Sequence, residues 1–217
     1  MSSVDVPSLT PRERGGESAE PAGRTLSGEK AQRIIDAMRN SVAKRGTAAS
    51  TFDHVAREAG VSRGLLHYYF ATKERLLVEA VRRDTDLRLE MLERRLSTAT
   101  CAADFIALLA QELQEGLTDD PDFMTLIFEL FTLARRHPDI AVEYADLMRR
   151  TREHVASILA AAQSKGTVVL HASPEAVTEV IFSLGDGFAL RMLAEPDRDF
   201  SESMSAAMAF AQALITD

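Results

Sequence analysis

The 217-residue sequence predicts an all-α protein. Apolar residues recur at helical spacing along most of the chain, and residues that cap or open helices stand at the joins. Only "TVVLH" (167–171) alternates with period two, and it is too short and isolated to build a sheet.

Residues 1–26, with Pro7, Pro11 and Pro21 among Ser, Gly and Glu, lack apolar periodicity and have too little to bury, so a flexible tail is predicted. Ser27 then caps a helix whose inner positions are Ala31, Ile34, Ile35, Met38 and Val42, and Gly46 is placed to end it. Further helices are predicted over 50–58, 62–69, 72–97, 102–117, 121–136, 139–165, 174–194 and 200–216. Pro121, Pro138 and Pro174 fit first helical turns, and Gly166 follows a long periodic stretch. There is no internal repeat.

In the second predicted helix, a hydroxyl at Ser50 or Thr51 can cap the start, and Asp53 completes a capping-box-like pair with Ser50. Phe52, Val55, Ala56 and Ala59 form its inner face. Gly60 permits a left-handed turn, Ser62 caps the next helix, and Leu66 and Phe70 turn inward at i and i+4. Two short helices joined in this way make a helix-turn-helix, whose second helix enters the major groove of DNA. Arg63 stands where a guanidinium can bond guanine O6 and N7, Gly64 keeps the backbone close to the DNA, and Leu65 can touch a thymine methyl. His67, Tyr68 and Tyr69 lie in the later half, suited to flanking phosphates. Tyr69 also reads as partly core.

Charge agrees with this division. The net charge is −8, yet residues 24–83 hold twelve Lys and Arg against six Asp and Glu, whereas residues 84–217 hold eleven against twenty-three. A basic head beside an acidic body is the asymmetry of a nucleic-acid-binding module joined to a part with another task. The predicted domains are a tail (1–26), a DNA-binding head (27–75) and a body (76–217).

The single cysteine, Cys101, excludes an intramolecular disulfide and a cysteine zinc cluster and suits a reducing cytoplasm. No apolar run approaches the ~20 residues that span a bilayer. The five histidines show no metal-ligand spacing, and there is no catalytic signature or cofactor motif.

"AREAGVSRGLLHYYFATKERLL" (56–77) resembles the DNA-binding domain of TetR-family transcriptional regulators, matching at Ala56, Ala59, Gly60, Val61, Ser62, Gly64, Leu66, Tyr69, Phe70, Lys73 and Leu76. The resemblance implies phosphate contacts from Ser50 or Thr51 and from Lys73, and base contacts from Arg63, Leu65 and Tyr68. Where the family commonly carries a tyrosine, this chain has His67, which makes that contact pH-sensitive. It further implies a homodimer on a double-stranded DNA operator and a largely apolar small-molecule effector.

The body is less explicit. The stretch 122–136 is apolar nearly all round, so it is either buried or lines a cavity; Met124, Phe128, Phe131, Met148 and Phe182 are the candidate wall. Two terminal helices carry broad apolar faces suited to a two-fold interface. Their candidate contacts are Val177, Ile181, Leu184, Gly185 and Phe188, then Met204, Met208, Ala211 and Leu214. The rival readings are a DNA-organising protein without an effector and, more remotely, a helical enzyme.

Overall fold

The computed structural model describes residues 28–217, so the expected tail and the Ser27 cap lie outside the described residues. Among the described residues there are nine helices: α1 (Gly28–Ala49), α2 (Phe52–Ala59), α3 (Arg63–Phe70), α4 (Lys73–Leu96), α5 (Ala102–Thr118), α6 (Pro121–Ala134), α7 (Pro138–Ser164), α8 (Pro174–Ala194) and α9 (Ser201–Leu214). Each of α2–α9 begins and ends within two residues of its predicted limits. The prolines at 121, 138 and 174 open their helices as expected, because a first-turn residue has no intrahelical partner for the N–H that proline lacks.

The described residues divide into two compact units, one holding 28–82 together with Leu126–Tyr144, the other Arg83–Thr125 together with Ala145–Asp217. The first unit therefore takes in more than the predicted head. Leu76, Leu77, Ala80 and Val81 on α4 are fully buried, which carries the unit past residue 75.

In the first unit, Ile34, Ile35 and Met38 of α1, Val55 of α2 and Leu66 of α3 are all 0% exposed. They form the inner faces expected from their spacing. Gly60 sits in the left-handed region (φ 66°, ψ 39°), and its N–H reaches back to α2 carbonyls, so the chain can turn at once into α3. Gly46 kinks α1 at φ 72°, ψ 164°, a conformation essentially restricted to glycine.

The second unit is built on Leu96, Phe105, Ile106, Ile158, Leu159, Val177 and Ile215. Arg95 of α4 bridges Glu112 and Glu115 of α5 at 3.0 and 2.6 Å. Its hydrogen bond, followed by that of Gln111, holds the Glu115 carboxyl below the usual carboxylate range.

One expectation fails at the chain's end. Residues 215–216 leave the helix as β2 (Ile215–Thr216) and pair antiparallel with β1 (Val169–Leu170), inside the stretch considered too isolated to pair. Burying Ile215 to 1% supplies the driving force. Asp217 completes the clasp: its Oδ1 accepts from the Ala102 N–H at 2.8 Å, serving the start of α5, where Cys101 offers no side-chain cap.

Candidate nucleic-acid interface

Of the two adjacent hydroxyls, Thr51 caps α2, its Oγ1 accepting from His54 N at 3.3 Å. Ser50 is 0% exposed; its Oγ donates to Gly46 O at 3.0 Å and accepts from Ser41 Oγ at 3.0 Å. The expected phosphate contact from Ser50 is therefore corrected, since a side chain closed inside the head cannot reach DNA. The capping-box pair is corrected with it. With Thr51 as the cap, the third helical residue is His54, and Asp53 is free to engage Arg63 instead.

Ser62 caps α3 by accepting from Leu65 N at 3.2 Å. From this anchored start, Arg63 extends outward with 60% of its side chain exposed. Its Nη1 lies 3.1 Å from Asp53 Oδ2, and its Nε donates to His67 Nε2 at 3.3 Å, an acceptor that exists only while that nitrogen carries no proton. The His67 ring meets the Phe52 ring edge-on at 4.7 Å. Tyr68 is 46% exposed, and Tyr69, at 8%, is mainly core. Leu65 is half-buried.

Gly64 is exposed, and a Cβ added to it would meet nothing within 4 Å. Glycine in a helix costs roughly 0.8–1 kcal/mol relative to alanine. Nothing among the described residues packs against this position.

Lys73 has a different setting from the one expected. Its Nζ donates to the carbonyls of Thr47, Ala48 and Ser50 at 2.8, 3.2 and 3.0 Å. An ammonium has three N–H bonds, so a phosphate would have to displace a carbonyl. Thr72 beside it caps α4, accepting from Arg75 N at 3.3 Å. Lys73→Ala is expected to lower the stability of the head by ~1–3 kcal/mol, because charged hydrogen bonds are lost at a helix end. Thermal unfolding followed by circular dichroism checks this; an unchanged melting temperature would return Lys73 to a purely phosphate-binding role.

In the remaining candidate regions, Phe131 is 48% exposed with its ring 6.0 Å from that of Tyr144, while Met124, Phe128, Met148 and Phe182 are half-buried. On α8, Val177 is 1% exposed and belongs to the core of its own unit, with Ile181, Ala211 and Leu214 packed against that core. Val177 is thus removed from the expected interface. Leu184, Gly185, Phe188, Met204 and Met208 are half-buried. The large apolar side chains left outside on these two helices are Leu190 (57%), Leu193 (38%) and Phe210 (50%), none of which the spacing had singled out.

Residues 34–80 match the bacterial regulatory proteins of the tetR family, and residues 102–216, more than half of the chain, match the C-terminal part of BetI-type transcriptional repressors. The chain belongs to the TetR family. Its body matches the BetI-type C-terminal part over residues 102–216. A curated TetR-family relative, the HTH-type transcriptional regulator BetI of Rhizobium meliloti (strain 1021), is 43% identical over 49 residues, which are 23% of this chain and 24% of the relative. The alignment thus spans about a quarter of that relative's length. Two solved structures share the fold. The fatty acid degradation regulator FadR from Bacillus halodurans has a TM-score of 0.71 at 18% identity, covering 85% of this chain and 95% of its own. A regulator from Saccharomonospora viridis in complex with choline has a TM-score of 0.69 at 21% identity, covering 87% and 98%. No helix among the described residues is long and apolar enough to cross a membrane.

Proposed function

We propose that this TetR-family regulator is a homodimeric repressor that holds a palindromic operator through α3 and releases it when a small molecule binds the body. The observation that carries the reading is the exposed face of α3. A capped start presents Arg63, an open Gly64 and Tyr68 outward, with Thr51 exposed at the cap of α2. Arg63 and Tyr68 read bases, while Thr51, Ser62 and His67 serve flanking phosphates.

Dimerisation rests on α8 and α9, where exposed Leu190, Leu193 and Phe210 need cover that a second copy supplies. An effector pocket walled within the second unit by the half-buried Met124, Met148 and Phe182 would be largely apolar. The choline complex of a similar fold makes choline the first compound to try, and the acidic composition after residue 84 favours a cation.

The experiment has two stages. Fragmented genomic DNA retained by the purified protein is sequenced, and the enriched fragment is titrated with and without choline and metabolites of the neighbouring genes. A ligand-responsive repressor gives a palindromic enriched site and a ~5- to 150-fold change in affinity, with reciprocal weakening of the ligand by DNA. Enrichment without any responsive ligand would favour the DNA-organising alternative, and no enrichment would overturn the reading.

A further inference from the structure

The joint between α1 and α2 is held from two sides by residues remote in sequence. At Gly46 the chain leaves regular helix, and the next residue, Thr47, is 7% exposed. Thr47 Oγ1 donates to Glu129 Oε2 at 2.5 Å, and Thr47 N donates to the same oxygen at 3.4 Å. Glu129 Oε1 lies where a Cβ on Gly46 would be 3.6 Å away, so one carboxylate closes over both residues. From α4, Lys73 gathers the carbonyls of Thr47, Ala48 and Ser50. Ser50 in turn ties Gly46 O to Ser41. Thr51, the cap of α2, follows at once.

We propose that Glu129 is a positioning residue for the DNA-binding helices: through Thr47 its carboxylate makes the placement of α6 set that of α2 and α3. The chemistry favours this contact as a mechanical link. A charged acceptor bonded to a hydroxyl and an amide of one nearly buried residue is stronger and more directional than apolar packing. The joint cannot relax around it, because Gly46 is already in a glycine-only conformation and Lys73 fixes the carbonyls on the following turn. α6 itself begins in the second unit and continues into the first, with Glu129 one turn beyond the point where the chain passes between them. Any rotation of α6 therefore moves a carboxylate that the joint must follow. The consequence for regulation rests on the repressor reading above; the positioning of the joint does not.

The test uses the full chain with E129A, T47V, which has nearly the same shape, and T47S, which keeps the hydroxyl. Amide hydrogen exchange is followed over residues 46–56 and, as a reference, over α7. Affinity is measured for the genomic fragment enriched by the wild-type protein. E129A and T47V are each expected to speed exchange at 46–56 by about ten-fold or more and to weaken DNA binding by about five- to fifty-fold, with α7 unchanged. T47S should behave as wild type, and the double variant E129A/T47V should be no worse than E129A alone, because removing the carboxylate already removes the bond that T47V deletes. Wild-type exchange in T47V, additive losses in the double variant, or loosened exchange with unaltered DNA affinity would each overturn the proposal. If E129A fails to fold, T47V and T47S still decide it. Should no fragment be enriched, the repressor reading fails on its own account and exchange alone decides whether Glu129 positions the joint.

Discussion

Leu190→Glu and Phe210→Glu are expected to give a folded monomer that binds its operator ~100-fold or more weakly than the native protein. Both side chains are at least half exposed in the protomer, so a carboxylate there loses little hydration while the chain is alone. Covered by a second copy, the same charge is stripped of water without a partner, a cost of several kcal/mol that a non-covalent interface does not readily absorb. The loss on DNA follows from geometry. Two heads on one palindrome bind as a linked pair, and separating them forfeits an effective-concentration gain of ~10²–10⁴. Sedimentation velocity together with circular dichroism separates dissociation from unfolding. Val177→Glu is the contrasting variant: Val177 is 1% exposed inside its own unit, so this change should unfold the body rather than part the copies. A Leu190→Glu/Phe210→Glu protein that stays dimeric at low micromolar concentration would place the interface elsewhere.

The contrast between Val177 and Leu190 also shows where sequence reasoning stops. α8 and α9 are apolar on most of their circumference, so helical spacing identifies several faces and cannot choose the one that turns inward. Where one stripe is apolar and the rest polar, as in α1 and α2, the same spacing names the buried residues correctly: Ile34, Ile35, Met38 and Val55 are all fully covered. Helix ends were legible because caps and first-turn prolines act locally, and the helix-turn-helix was legible because Gly60 and the Ser62 cap lie within a few residues of the helices they serve. Contacts between distant positions leave no local period. Glu129 meets Thr47 across 82 residues, and His171 meets Thr216 across 45. The resemblance implies a phosphate contact for Lys73, but its acceptors here are the carbonyls of Thr47, Ala48 and Ser50, which nothing in its own neighbourhood announces. Adjacent hydroxyls pose the same problem on a smaller scale: Ser50 and Thr51 are equivalent as caps until the kink at Gly46 turns Ser50 inward.

Arg63→Ala is expected to weaken operator binding by ~5- to 150-fold and to abolish preference at one base pair in each half-site. The range corresponds to ~1–3 kcal/mol, the discrimination that a bidentate guanidinium contact provides. Arg63 is held before DNA arrives by Asp53 at 3.1 Å and by His67 at 3.3 Å, and both it and Asp53 are more than half exposed. An exposed ion pair contributes ~0–1 kcal/mol, so exchanging Asp53 for a guanine edge costs less than the new contact returns. On the proposed reading Asp53 pre-orients the guanidinium without trapping it, and its own negative charge would oppose nearby phosphates. Asp53→Asn should then bind all sequences a few-fold more tightly with base preference retained, because repulsion falls while Arg63 keeps its reach. Titrating the enriched fragment and its single-base variants against wild type, Arg63→Ala, Asp53→Asn and the double variant separates these effects. In the double variant the affinity gain from Asp53→Asn should persist and base preference should remain absent. If Arg63→Ala leaves both affinity and preference intact, sequence is read by another side chain of α3, and Tyr68 is the next to replace.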